Sequence, residues 1–295
     1  MTFFQRKAYD IGCGIASLFW PFFTKRRRIS VENILRAGVA DDPKAARRLA
    51  RKAFCHFLGH MFEALAVPKV VNASNWRDHL DFSCVDPEAV RTLVECLDTP
   101  ILIVSGHHGC WEAATNILSI VRPMIAIARV MDSKLLQGWM KKHHFRGPVT
   151  IVNKNDGFTK GVIRQWIEER SAMTILMDQY TYGGSLLRFF GRPARTVTSA
   201  ARLAVKTGFP VVVGSFVRVG PFKYRAVAGP PLVFGKDADR DAVVQTLNDR
   251  LEEAIRQYPE QYLWMHRRWR DDAPEPASDP RRSEGEREKG GTDEG

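Results

Sequence analysis

The chain has 295 residues, enough for one large domain or two small ones, and its 44% apolar and 10% aromatic content excludes a disordered or fibrous protein. The formal net charge is +11, but residues 271–295 hold nine acids against four bases, so residues 1–270 carry about +16. No apolar run approaches the ~20 residues of a spanning helix, which excludes a polytopic membrane protein. A surface this basic suits phosphates, an acidic protein or an anionic membrane face. Five cysteines without a CxxC pair favour reduced thiols in a cytoplasm-facing protein.

Residues 1–28 predict a membrane-associated helix with a basic flank. The apolar run of residues 11–23 would extend only about 20 Å as a helix, against a hydrocarbon core of about 30 Å, and Pro21 breaks it. Basic residues flank the run, and Lys25–Arg28 stands where a signal peptide would have its small-residue cleavage site. The pattern favours a helix in the cytoplasmic leaflet. The alternative is a first helix packed on the core, followed by a solvated basic turn.

The next segment, residues 44–67, has apolar residues at helical spacing. His56, His60 and Glu63 share one face of this predicted helix, which resembles a metal-binding spacing. No further ligand cluster supports a metal, so we predict none. These residues are interpreted as partly buried polar groups or as the wall of a binding groove.

From residue 99 the chain alternates between short apolar runs and amphipathic stretches. The runs predict buried strands at residues 101–106, 124–129, 149–153, 172–179 and 210–219, and the stretches predict helices at residues 111–121, 133–145, 157–169 and 196–207. This alternation predicts an α/β layered domain with a mostly parallel central sheet flanked by helices. An antiparallel strand over 224–234, a long helix over 239–258 and a disordered charged tail over 271–295 complete the chain, so the folded domain is expected to span 29–270.

The segment SGHHGCWE, residues 105–112, directly follows the first of these strands. Ligands bind at the carboxyl ends of strands in α/β sheets, and four residues separate His107 from Glu112 on the predicted strand-to-helix turn. The carboxylate would orient the imidazole as the third member of a catalytic triad does, and the imidazole would deprotonate a substrate hydroxyl. Cys110 as a covalent nucleophile has no independent support, and His108 is predicted to be structural.

The segment resembles the G-H-x-G-N-W-E motif of the lipid A biosynthesis lauroyl/myristoyl acyltransferase family, within the glycerolipid acyltransferase superfamily, with Cys110 in place of Asn. Asp178-Gln179 followed by FFGRPAxT at 189–196 resembles that family's D-Q...F-F-G-x-P-A-x-T stretch. PEQYLWMHRRWR at 259–270 resembles its closing P-x-Q-Y-x-W-x-H-R-R-W, and Val31–Ile34 with the following helix resembles its N-terminal part. The resemblance covers about residues 28–270.

The resemblance implies transfer of a fatty acyl group from acyl carrier protein, or from acyl-CoA, to a hydroxyl of a phosphorylated glycolipid. It implies no cofactor and no metal, and it places the protein at the cytoplasmic face of the bacterial inner membrane. His107 would be the general base and Glu112 would orient it. Backbone amides near Gly109 are the expected donors to the oxyanion.

The substrate-binding expectations concern residues outside the motif as well as inside it. Arg129 is expected to bind an acceptor phosphate, the alternative being a structural ion pair, and Asp178 is expected to position Arg129 or a sugar hydroxyl. Trp111, Phe189 and Phe190 would line the acyl channel or belong to the core. Arg192 is expected on a basic rim, together with Arg146, Lys160, Arg164, Arg188 and Arg195. The closing residues 266–270 would contact the carrier protein or the membrane.

Two other functions remain open. One is a related acyltransferase that uses acyl-CoA or another acceptor, such as an aminolipid, a glycophospholipid or a lysophospholipid. The other is a membrane lipid-binding relative that has lost catalysis, against which the retention of both His107 and Glu112 argues. Nucleic acid suits the charge equally well, but the motif turns the prediction to lipid and away from nucleic acid.

Overall fold

A computed structural model describes residues 3–128, 147–153 and 158–270. The helices are α1 (Phe3–Phe19), α2 (Thr24–Arg36), α3 (Pro43–Ala64), α4 (Val67–Val70), α5 (Pro87–Val90), α6 (Trp111–Val121), α7 (Lys160–Glu168), α8 (Ser199–Thr207) and α9 (Arg240–Gln257). The strands are β1 (Leu80–Val85), β2 (Ile101–Ser105), β3 (Met124–Ala128), β4 (Val149–Asn153), β5 (Ala172–Leu176), β6 (Ser185–Phe189), β7 (Arg192–Thr196), β8 (Val211–Gly220) and β9 (Lys223–Ala228). Short 3-10 turns at Trp76–His79 and Pro259–Gln261 and a π turn at Arg91–Glu95 connect them.

A seven-stranded sheet in the order β1-β9-β8-β2-β5-β3-β4 forms the centre of the fold. β2 lies between β5 and β8 and is parallel to both, and β3 is parallel to β4 and β5. β9 runs antiparallel to β8, as predicted for this segment. The predicted α/β class with a mostly parallel sheet is therefore confirmed. The predicted helix over 133–145 and the predicted tail over 271–295 lie outside the described residues.

Several elements were not predicted, among them α2, β1, β6 and β7. α2 begins three residues after Pro21 and contains Lys25–Arg28, which were interpreted as a basic flank or as a solvated basic turn. β1 joins the edge of the sheet parallel to β9, and β6 and β7 form a separate antiparallel hairpin within the segment identified only as a motif.

The two faces of the sheet bury two apolar layers, because successive residues of a strand point to opposite faces. On β2, Leu102 and Val104 pack in the layer that contains Leu247 and Leu251 of α9. Ile101 and Ile103 pack in the layer of α6, which contains Ile117 and Leu118. Burial on both faces explains why this strand is a continuous apolar run.

Helix α1 packs along α3, as in the second of the two expectations for the N-terminus. Gly12 and Gly59 allow the close approach, because a Cβ on Gly12 would lie 2.7 Å from the Cα of Gly59. The opposite side of α1 exposes Leu18 and Phe19, at 68% and 47%. Within the described ranges, no helix has the length and apolarity to cross a bilayer.

Candidate active site

The candidate site lies at the carboxyl edge of β2 and β5. These strands pair in parallel with Ser105 opposite Leu176, so His107 and Asp178, each two residues farther along, emerge side by side. The edge is where an α/β sheet exposes reactive side chains. The register of two adjacent strands therefore brings together two residues that are 71 positions apart in the chain.

Asp178 holds His107 through both of its carboxylate oxygens. Oδ2 accepts from the backbone N–H of His107 at 3.0 Å, and Oδ1 lies 2.9 Å from Nδ1. Burial raises the pKa of Asp178, but attraction to the protonated form of His107, two hydrogen bonds from that residue and the Arg268 guanidinium together lower it to about 2. The ionised carboxylate only accepts, so Nδ1 carries the hydrogen and Nε2 presents a lone pair. The His107 side chain is 22% exposed.

A carboxylate outside the motif makes the bond to Nδ1 of His107, that of Asp178. Glu112, predicted to orient the ring, lies half-buried in the first turn of α6. Asp178 was expected at this edge of the sheet, with Arg129 or a sugar hydroxyl as its partner. Gln179 was quoted only as part of a motif, yet its side-chain nitrogen lies 3.3 Å from Nε2 of His107. The signal for both was the D-Q pair at the end of a predicted strand.

Trp111 lies against His107, as a site residue should. The two rings form an edge-on contact with centroids 5.2 Å apart. On its other side, Trp111 meets the ring of His60 at 4.3 Å. The indole therefore forms one wall beside the imidazole.

The turn between β2 and α6 is fixed by backbone bonds. The Gly109 N–H donates to the Gln261 carbonyl at 2.9 Å, and the Cys110 N–H donates to the Phe216 carbonyl at 2.7 Å. Gly109 has a φ of +67°, and a Cβ there would collide with the Phe216 carbonyl. The expectation that amides near Gly109 bind the oxyanion is wrong for these two amides, because both already have acceptors within the fold.

His108 and Cys110 are interior residues. His108 is fully buried between Ser215 and the Tyr258 carbonyl, at 2.9 and 3.0 Å, and burial lowers its pKa to about 4. Cys110 is also buried, and its burial raises the thiol pKa well above the usual value. A buried neutral thiol is a poor nucleophile, which agrees with the structural interpretation of both residues.

An apolar slot runs from Trp111 between α6 and the sheet. Its free volume is about 30 Å³, room for about two water molecules, so a ligand would have to part its walls. Met124 is level with Ala172, four residues before Leu176, and therefore lies about 13 Å below the carboxyl edge. The walls of the slot include Ser105, Thr115, Leu118, Met124, Thr174 and Leu176.

Several expected binding residues lie elsewhere. Phe189 and Phe190 are buried in the core on the other side of the sheet, against Trp269 and Trp264, so the core alternative holds for them. Arg192 is exposed on β7, where its Nε donates to the Arg36 carbonyl at 2.9 Å. Arg129 and Arg146 lie outside the described residues. Of the rim residues, Arg164 forms an exposed pair with Glu168 on α7.

Part of the closing segment, residues 266–270, is structural. Arg268 and Trp269 are buried, and Arg268 donates to the Arg195 carbonyl and the Thr196 hydroxyl, both at 2.6 Å. His266 accepts from the backbone N–H of Tyr180 at 3.0 Å, next to the D-Q pair. Burial lowers the pKa of His266 to about 4. The expectation that this whole segment contacts a partner is therefore wrong for its buried residues.

The sequence of this chain is similar to known acyltransferases over almost its whole length. The family described as "Bacterial lipid A biosynthesis acyltransferase" matches residues 3–271. The chain is also 22% identical over 272 residues to the lipid A biosynthesis lauroyltransferase of Escherichia coli (strain K12), a match that covers 89% of this chain and 85% of that protein.

Proposed function

Because this chain belongs to the bacterial lipid A biosynthesis acyltransferase family, we propose that it transfers a fatty acyl group from an acyl thioester to a hydroxyl of a lipid A-type precursor, with His107 as general base. The observation that carries the proposal is the His107–Asp178 pair at the carboxyl edge of β2 and β5. Asp178 fixes the tautomer in which Nε2 accepts a proton. The donor is acyl carrier protein or acyl-CoA, and the acceptor is a phosphorylated glycolipid.

The bonds that form and break in this step belong to the two substrates and to His107. Nε2 takes the proton of the acceptor hydroxyl as its oxygen attacks the thioester carbonyl carbon. The tetrahedral intermediate collapses with cleavage of the C–S bond, and the thiolate recovers the proton from Nε2. An ester and a free thiol result, and base catalysis of this kind contributes about 10²–10⁴-fold.

The oxyanion needs donors other than the amides of Gly109 and Cys110. The first turn of α6 begins beside His107, and Cys110 gives it no side-chain cap. Its N–H groups and the positive end of the helix dipole suit a developing negative charge. We assign the oxyanion to this helix start.

The acyl chain is assigned to the slot below Trp111. The slot is lined by Trp111, whose ring contacts His107, and its walls are apolar apart from hydroxyls such as that of Thr174, so a thioester carbonyl near Nε2 would send its chain toward Met124. Burial of each methylene favours binding by about 0.8 kcal/mol, which supplies the free energy to part the walls.

The membrane-facing surface is assigned to the end of α1 and the residues after it. Exposed aromatic and aliphatic side chains gather here, followed by four consecutive basic residues, Lys25–Arg28. We call the exposed apolar side chains the apolar patch: Leu18, Phe19, Phe22 and Phe23. Apolar contact with the acyl region and attraction to anionic lipids act together in interfacial binding, so this surface would hold the enzyme at the cytoplasmic face of the inner membrane.

The experiment is an acyl transfer assay with purified full-length protein in detergent micelles. Acyl carrier protein and CoA thioesters of several chain lengths are offered separately with a phosphorylated lipid A precursor, and products are identified by mass spectrometry. Mild alkaline hydrolysis distinguishes an ester from an amide product. We expect an alkali-labile product from the wild type and none from His107→Asn. Absence of product with both thioester classes, or wild-type turnover by His107→Asn, would overturn the proposal.

A further inference from the structure

One imidazole joins helix α1 to the active-site turn. His56, on α3, is 4% exposed. Its Nε2 lies 3.1 Å from the Gly109 carbonyl oxygen, and its Nδ1 lies 3.1 Å from the Tyr9 hydroxyl. A carbonyl only accepts, so Nε2 donates, and in the neutral ring Nδ1 accepts from the hydroxyl. Each ring nitrogen is therefore committed to a different element.

We propose that His56 is a positioning residue for His107 and that it transmits the placement of α1 to the active-site turn. Gly109 lies two residues after His107 and is held on both sides of its backbone. Its N–H donates to Gln261 and its carbonyl accepts from His56. Without the second bond, a buried carbonyl loses its donor and the turn loses one of the anchors that fix the direction of the imidazole.

Tyr9 belongs to α1 and is held in place by other side chains, so its hydrogen bond couples the position of α1 to His56. The Arg218 guanidinium lies 3.7 Å from the centre of the Tyr9 ring. Arg218 forms a two-pronged ion pair with buried Glu63, with contacts of 3.0–3.1 Å. Because Gly12 and Gly59 hold α1 against α3, a displacement of α1 must move Tyr9 and break its bond to His56.

The environment of His56 keeps this connection in one protonation state. Burial lowers the pKa of His56 to about 4, so the ring stays neutral at physiological pH. The imidazole also stacks on the ring of His60, with centroids 5.8 Å apart, and tilts against the ring of Tyr9. One tautomer in one orientation serves both bonds.

Two substitutions at the same position separate the two bonds. In His56→Gln the amide nitrogen takes the place of Nε2 and can still donate to Gly109. In His56→Asn the shorter amide reaches only the place of Nδ1, so it can accept from Tyr9 but cannot reach Gly109. We expect His56→Asn to lower kcat about 10-fold or more with little change in KM, and His56→Gln to stay within about threefold of the wild type. Equal kcat for these two variants would overturn the proposal.

The link to α1 is tested by a matched pair of hydroxyl deletions. Tyr9→Phe removes the donor to His56, whereas Tyr224→Phe removes a hydroxyl of the same polar cluster that donates to Glu63 at 2.8 Å and not to the turn. Hydrogen exchange of the peptide spanning 105–112 is followed by mass spectrometry in the full chain. Faster exchange is expected in Tyr9→Phe and His56→Asn, and unchanged exchange in Tyr224→Phe.

The inference rests on the proposed function only in taking His107 as the base. If His107→Asn were active, the proposed function would fail, but the exchange of residues 105–112 would still decide whether His56 and Tyr9 hold the turn. If His56→Asn does not fold, Tyr9→Phe retains the imidazole and gives the answer alone. Exchange in Tyr9→Phe equal to that in Tyr224→Phe overturns the proposed connection.

Discussion

The imidazole of His107 and the carboxylate of Asp178 are joined at 2.9 Å, and the same carboxylate also accepts the backbone N–H of His107 at 3.0 Å. One side chain therefore sets both the position of the turn and the tautomer of the ring. This arrangement places the acidic partner two residues after β5, outside the motif that contains the histidine.

Replacing Asp178 with Asn is expected to lower kcat by about 100-fold or more, with KM nearly unchanged. Both carboxylate oxygens accept from His107, whereas an amide has one acceptor oxygen, so one donor of His107 would meet an NH₂ group. Steady-state kinetics of Asp178→Asn beside Glu112→Gln measures this effect. Wild-type kcat in Asp178→Asn would contradict the assigned orienting role, and an equal loss in Glu112→Gln would show that the motif carboxylate contributes as well.

Truncating Leu118 is expected to shift the preference of the enzyme toward longer acyl chains. Leu118 lies two turns along α6 from Trp111, toward the deep end of the slot. A donor two methylenes longer would gain about 1.6 kcal/mol of burial in the enlarged slot, roughly a tenfold change in relative kcat/KM.

Competition between two acyl thioesters of different length, analysed by product mass, measures the change in Leu118→Ala. Leu187→Ala on β6 is the matched control, since this half-buried leucine packs on the other side of the sheet. An unchanged product ratio in a folded Leu118→Ala enzyme would remove the acyl chain from this slot.

The stability of the fold is expected to fall as pH decreases from about 6.5 to 4. Burial lowers the pKa of both His56 and His108 to about 4. Histidines of the unfolded chain have pKa values near 6.5, so in this pH range the unfolded chain binds protons that the folded chain does not bind. These two groups and His266, whose pKa burial also lowers to about 4, together change the free energy of unfolding by up to roughly 4 kcal/mol per pH unit in this window. The low pKa of Asp178 acts only below about pH 4.

Urea unfolding at several pH values between 7 and 5 measures this slope. His56→Gln should reduce it, because the amide does not titrate. A pH-independent free energy of unfolding across the window would show that none of these histidines is neutral only in the folded state.

The sequence predicted the position of the candidate site better than it predicted which residues interact there. His107 and Trp111 follow from a motif at the end of an apolar run, since local order determines both the turn and the start of α6. The bond between His107 and Asp178 depends on β2 and β5 being adjacent in the sheet. The sequence of a strand does not by itself determine which strand it pairs with. Periodicity located β2 and β5 but contained no information on that pairing.

Aromatic and basic residues were harder to place because burial and ligand contact give the same sequence pattern. Phe189 and Phe190 pack against Trp269 and Trp264. The β6–β7 hairpin determines this placement, and its short strands were not predicted. The buried position of Arg268 depends on acceptors at Arg195 and Thr196, more than seventy residues away. Such long-range partners decide whether an arginine is a surface charge or an anchor.

The apolar patch is expected to carry membrane binding. Full transfer of a leucine or phenylalanine side chain from water is worth about 1.5–3 kcal/mol, so three replacements that realise half of this value would weaken partitioning by roughly 100-fold. Leu18, Phe19 and Phe22 are suited to this test, because they are 68%, 47% and 76% exposed and their replacement with Ser leaves the α1–α3 contact intact. Sedimentation with vesicles of anionic and neutral lipids measures the partitioning.

Leu186→Ser, at another exposed apolar position, 57% exposed on β6, is the control and should bind as the wild type does. High salt should weaken binding to anionic vesicles through Lys25–Arg28 while leaving the apolar contribution. Wild-type sedimentation of the triple variant would assign attachment to another surface of the protein.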